Sequence, residues 1–306
     1  MIIRFLAGLA LSLLLGLPVA AQEPVPTPLS LPAGRYSVKD TVDGVERTYL
    51  LDIPESYAAN PEVPAPLVIV LHGTGGAGVT IAGYAGFDLI GERERLIVVY
   101  PDGLNANWAD GRPGGEGLED IAFIGRMIDA LSATLQIDSA RVYALGHSTG
   151  GTMAQRLPCH LPERLAAVAS VAGPMPEYLM PECDGSAPVP IVLIQGTDDT
   201  NFPWRGIPGT FLGALDTRDY WARHNQCGIA SAQTPLPDTA PDDGTLTILE
   251  RFTLCAASAL VDFYGVYGGG HTFPGHPFPG SALIGATSMD FDAAEVLWSF
   301  FAAQAN

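Results

Sequence analysis

The sequence predicts an α/β protein, a mostly parallel central sheet flanked by helices. Two observations carry this: apolar runs too continuous for half-exposed strands, each stopped by glycine, and helical stretches lying between them. "PLVIVLHG" (66–73) and "RLIVVYPDG" (95–103) are such runs, dense in the β-branched residues that suit strands covered on both faces. Between them "IAGYAGFDLIGERE" has the length and spacing of one helix. In "LEDIAFIGRMIDALSATLQI" (118–137), Ile121, Ile124, Ile128, Leu131 and Leu135 recur at helical spacing. Glu119 and Asp120 fall in its first turn, where the helix dipole favours negative charge. The alternation continues through the strand "RVYALGHS", the helix "TGGTMAQRLPC", the strands "LAAVASVAG" and "PVPIVLIQG", and a closing helix "DAAEVLWSFFAAQ". "RTYLLDIP" (47–54) alternates well enough to predict an edge strand.

The chain opens "MIIRFLAGLALSLLLGLPVAA", with one early cation, a short apolar core and small residues at its end. That layout predicts a signal peptide over residues 1–21, cleaved after Ala21, and a secreted or periplasmic mature protein. A transmembrane anchor fits less well, because the apolar core is short for a span of roughly 20 residues. Residues 22–35 form a proline-rich lead-in. Residues 36–306 then read as a single domain, with no linker or repeat to mark a second.

A formal charge of −18 repels phosphate backbones and anionic headgroups. Nucleic acid is therefore not an expected partner, nor is stable membrane association after signal cleavage. Four cysteines, Cys159, Cys183, Cys227 and Cys255, show no CxxC spacing and no clustered histidines. In an exported chain they predict two disulfides rather than a metal site. Three pairings are possible. Cys159–Cys183 and Cys227–Cys255 are favoured, each closing a loop worth about 3.5 kcal/mol in the chain-entropy model. No metal or organic cofactor is expected.

Parallel sheets carry their chemistry at the carboxyl ends of the strands. At one such end stands "GHSTG" (146–150), with a strand before it and a helix after it. A serine presented on so sharp a turn needs neighbours without side chains, and Gly146 and Gly150 supply them. Ser148 is thus the candidate nucleophile, and the helix beginning at Thr149 aims N–H groups at a developing oxyanion.

A serine needs a base, and the base an orienting carboxylate. His271, in "VYGGGHTFPG" after the strand-like "ALVDFYGVY", is the candidate base, with His276 as the fallback. His224 falls at a helix end, where it complements the dipole. His160 lies too near Ser148 in sequence to complete a triad. For the acid, "IVLIQGTDDTNFPW" (191–204) offers Asp198 and Asp199, which spacing alone leaves undecided. "LHGTGG" (71–76) supplies a second oxyanion donor, the Thr74 N–H beside that of Thr149, while His72 reads as structural.

In combination, "LHGTGG", "YPDG", "EDIAFI", "GHSTGGTMAQRL", "AAVASVAG", "QGTDDTNFPW" and "GGGHTFPG" resemble the secreted polyhydroxybutyrate depolymerase and feruloyl esterase group of α/β-hydrolases. The likeness runs from about residue 36 to the end, and "GGGHTFPG" is its most specific piece. It implies the α/β-hydrolase fold and a carboxylic ester hydrolase with Ser148, His271 and Asp199, in preference to Asp198, as its triad. It also supports Cys227–Cys255. Three positions depart from the group's pattern: Gln195 in place of histidine, Thr149 in place of alanine or asparagine, and Phe273 in place of tryptophan.

The substrate is expected to be an ester, small or polymer-linked, with hydroxycinnamoyl, acetyl or short hydroxyacyl groups in view. Trp108, Trp204, Phe273 and Phe278 are candidates to line its site by aromatic stacking. The long Pro- and Gly-rich loop 272–288 is expected to wall one side of the cleft. Two other classes fit the same residues. One is a serine peptidase of this fold, which ordinarily brings a large gating domain. The other is a binding protein that kept the fold without the chemistry.

Overall fold

The computed structural model describes residues 31–112, 117, 119–228, 233–277 and 283–305. The expected signal peptide, most of the proline-rich lead-in and Phe278 lie outside the described residues.

Among the described residues ten strands form one sheet: β1 (Gly34–Val42), β2 (Val45–Ile53), β3 (Ala65–Leu71), β4 (Ile97–Pro101), β5 (Ile137–His147), β6 (Ala167–Val171), β7 (Ile191–Gly196), β8 (Thr234–Pro235), β9 (Leu246–Phe252) and β10 (Val261–Tyr267). Their spatial order is β1-β2-β4-β3-β5-β6-β7-β10-β9-β8. The strands β4, β3, β5, β6, β7 and β10 run parallel, and antiparallel strands finish both edges.

Eight helices accompany the sheet among the described residues: α1 (Glu55–Ala58), α2 (Gly78–Ala82), α3 (Phe87–Glu94), α4 (Glu119–Thr134), α5 (Thr149–His160), α6 (Met180–Cys183), α7 (Ala214–His224) and α8 (Ala293–Ala302). The side chains of β3 show why the sheet is a middle layer. Leu67, Ile69 and Leu71 join a core with α4, α5 and α7, whereas Val68 and Val70 join a second core with α2, α3 and α8. A strand whose alternate residues enter two cores must be apolar throughout, and all seven residues of β3 are buried.

Several expectations are corrected here. The strand at 47–54 is not an edge, because β1 pairs along its whole length and takes the outer position. β1 alternates exposed and half-buried residues, so it gives a weak apolar signal. It also begins at Gly34, inside the segment read as lead-in. The single helix expected over 81–94 is two: α2 ends at Ala82 with Gly83 as its C-cap, and Gly86 at φ 72° turns the chain into α3. Asp120 does more than complement a dipole. It is buried, forms an ion pair with Arg47 of β2, and accepts the Ala109 N–H at 2.6 Å. The disulfides join Cys159 to Cys183 and Cys227 to Cys255. The first ties the end of α5 to α6, and the second ties the end of α7 to the β9–β10 connection.

Candidate active site

Ser148 stands between β5 and α5 with φ 60°, ψ −128°, a conformation that a side chain rarely adopts. The two glycines around it are enforced by contact. A Cβ on Gly146 would lie 2.1 Å from the Gly150 backbone, and one on Gly150 would lie 2.2 Å from the Leu71 carbonyl oxygen. The turn therefore closes only when β3, β5 and α5 approach backbone to backbone. The Gly151 and Thr152 N–H groups bond the Ser148 carbonyl and start α5.

The loops after β7 and β10 bring the other expected groups to this point. His271 Nε2 lies 2.8 Å from Ser148 Oγ, and His271 Nδ1 lies 2.8 Å from Asp199 Oδ2. All of Asp199 is committed to bonding. Its Oδ1 accepts the Asn201 and Phe202 N–H groups, each at 2.8 Å, and its Oδ2 also accepts Gln195 Nε2 at 2.9 Å. Gln195 spends its second proton on the Phe202 carbonyl at 3.1 Å. Asp198 is exposed and takes the Thr197 hydroxyl instead. The alternative that spacing left open is thus separated by geometry: Asp199 meets His271 and Asp198 does not.

Three of the other histidines are held elsewhere. His276 pairs with Asp292 at the start of α8, His224 with Ser186 and Asn225, and His160 with Glu182. His72 braces the loop that follows β3. Its Nε2 accepts the Gly103 N–H at 3.0 Å, which leaves Nδ1 to donate to the Gly73 carbonyl at 2.7 Å. Burial holds its pKa below the ordinary value, in keeping with that neutral form.

That loop backs directly onto Ser148: a Cβ on Gly73 would fall 3.0 Å from Ser148 Cβ. The Gly75 and Gly76 N–H groups are used by the Ala106 and Gly73 carbonyls. The N–H groups of Thr74 and Thr149 donate to no other group among the described residues. The hydroxyls of the same two residues meet at 3.1 Å.

A cavity of about 730 Å³ opens over these groups, lined among others by Thr74, Tyr84, Ser148, Asn201, His271 and Ile284. Ile284 brings the expected loop wall to the cavity, as its carbonyl accepts the His271 N–H at 2.7 Å. Of the aromatic candidates, Trp108, Trp204 and Phe273 do not line it. Trp108 is buried with its indole N–H on the His72 carbonyl, so it supports the loop from behind. Phe273 is fully buried against Tyr84 and His147, and Trp204 packs on Phe263 and Tyr267. Apolar rings at these strand ends gain more by completing the core beneath the loops than by facing solvent.

Two residues went unnoticed in the sequence. Tyr84, from the α2–α3 connection, lines the cavity, and its hydroxyl lies 3.0 Å from His147 Nδ1. His147 is buried beside the His271 ring at 5.1 Å between centroids. Burial, reinforced by His271, holds its pKa down to about 3. Its position inside the serine motif was a signal; its contact with Tyr84 was not legible.

This sheet, with a serine elbow at the end of β5, defines an α/β-hydrolase fold, and residues 66–189 match the family described as alpha/beta hydrolase fold. An acetyl xylan esterase from Aspergillus awamori superposes with a TM-score of 0.59 over 81% of this chain and 97% of that one. At 18% identity the likeness speaks for the fold alone. Among relatives, the protein named "Putative esterase NocK" from Nocardia uniformis subsp. tsuyamanensis is 28% identical over 96% of this chain and 97% of its own. Feruloyl esterase C of Emericella nidulans is 32% identical over 52% of this chain and 57% of its own. Feruloyl esterase D of Neurospora crassa is 28% identical over 64% and 66%. The chain is a carboxylic ester hydrolase of the α/β-hydrolase fold, and the expected likeness to feruloyl esterases is borne out.

Proposed function

We propose that the protein is an exported serine esterase acting on hydroxycinnamoyl, acetyl or short hydroxyacyl esters, free or polymer-linked. The observation that carries this is the unbroken hydrogen-bond chain from Ser148 through His271 to Asp199 at the floor of the cavity. His271 takes the Ser148 proton as the hydroxyl attacks the ester carbonyl. Asp199 keeps the imidazole in the tautomer whose Nε2 faces Ser148 and stabilises the cation that forms. The N–H groups of Thr74 and Thr149 receive the oxyanion, each worth roughly 3 kcal/mol. The alcohol leaves with the His271 proton, and water repeats the cycle to free the acid.

Three observations favour these substrates and this compartment. The cavity has room for an acyl group larger than acetyl, and named relatives are feruloyl esterases. Two disulfides suit an oxidising compartment. The test is a steady-state screen on p-nitrophenyl acetate and butyrate, methyl ferulate and an aminoacyl p-nitroanilide, with Ser148→Ala alongside. Ester turnover lost in the variant, with thermal unfolding nearly unchanged, is the expected result. Turnover retained by Ser148→Ala overturns the assignment, and turnover of the amide alone makes the protein a peptidase.

A further inference from the structure

The two hydroxyls that meet beside Ser148 have a consequence for the oxyanion site. Thr149 is 3% exposed, and its hydroxyl has Thr74 Oγ1 as its only partner among the described residues. Thr74 is exposed and lines the cavity together with Ser148 and His271. A buried hydroxyl that gives up its proton to no acceptor pays for its desolvation, whereas an exposed one can always turn to water or to a ligand. The direction of the bond follows: Thr149 Oγ1 donates and Thr74 Oγ1 accepts. Thr74 then keeps its own proton, and its hydroxyl is tethered in the cavity next to the N–H groups flanking Ser148.

We propose that the Thr74 hydroxyl is a third, side-chain donor to the oxyanion, aimed by the hydroxyl of Thr149. This rests on the serine-esterase reading above and adds to it a catalytic group and a positioning residue. It also gives a purpose to Thr149 where the resemblance leads one to expect alanine or asparagine: alanine has no side-chain donor with which to tether the opposite hydroxyl. The reaction is unchanged in its bonds. Charge developing on the carbonyl oxygen receives an O–H donor in addition to two N–H donors, and the bond is released when the carbonyl re-forms.

The test compares Thr74→Val, which keeps shape and backbone N–H but removes the hydroxyl, with Thr74→Ser, which restores it. We expect kcat on a p-nitrophenyl ester to fall about 10- to 100-fold in Thr74→Val with KM little changed, and to return in Thr74→Ser. Thr149→Ala should lose less, and adding it to Thr74→Val should cost nothing further, because its effect runs through Thr74. Covalent labelling of Ser148 by a fluorophosphonate, followed by mass spectrometry, gives a second readout that needs no particular substrate. Its rate should fall in parallel. Thr74→Val with kcat and labelling within about twofold of wild type overturns the donor role while leaving the esterase intact. Additive losses overturn the tether. A folded wild-type protein that neither turns over esters nor labels at Ser148 overturns the esterase reading and this inference with it.

Discussion

Two adjacent aspartates show how much a single residue's surroundings decide. Asp198 and Asp199 are equivalent in spacing, yet one faces solvent and the other accepts four hydrogen bonds. Asp199→Asn should lower kcat by up to about 10⁴-fold through the wrong imidazole tautomer, and Asp198→Asn should stay near wild type. The reverse ranking in ester hydrolysis would exchange them. Gln195, a departure from the resembled pattern, is one of the groups that fix Asp199. A hydrogen bond to a charged group is worth about 1.5–3 kcal/mol, so Gln195→Leu should reduce kcat by tenfold or more and leave KM nearly alone. His147 adds a pH dependence to stability. Its folded pKa is about 3, well below its unfolded value, so below pH 6.5 the unfolded chain binds a proton that the folded chain refuses. Stability is full above pH 6.5 and declines as pH falls towards 3. Melting temperature against pH should therefore be steeper between pH 6.5 and 4 in wild type than in His147→Gln.

At the scale of elements, periodicity reports what a helix or strand buries, and it reports little about where the backbone turns. The α4 stripe matches its pattern because all five of its marked residues pack into one core. The apparent helix at 81–94 breaks because a left-handed glycine costs the apolar pattern nothing. The serine elbow is the opposite case, since its glycines are visible in sequence and explained by contact. Gly150→Ala drives a methyl into the Leu71 carbonyl, which only separation of β3 from α5 relieves. We expect a loss of about 3 kcal/mol or more in urea unfolding, together with loss of ester turnover. Substitution at Gly44, which meets nothing within 4 Å but has φ 82°, should cost far less.

Across the whole molecule, the site is assembled from loops after β3, β5, β7 and β10, so its precision depends on the sheet and on what ties its outer layers. The Cys227–Cys255 bridge fastens α7 to the β9–β10 connection, and the pair Cys227→Ser with Cys255→Ser should lower stability by about 3 kcal/mol. Sequence alone carried the α/β architecture and the candidate nucleophile and base, because each has a local signature: uninterrupted apolar runs, a glycine-flanked serine, a histidine after a late strand. Spacing leaves the two adjacent acids equal, and contact with His271 separates them. Tertiary structure alone decided the partners of those groups. Asp120 became an ion pair, Trp108 and Phe273 became core, and Tyr84 became a cavity wall, each through contacts between segments distant in the chain. Local pattern encodes what a residue avoids or exposes, while the identity of its neighbour is fixed only when strands far apart in sequence lie side by side.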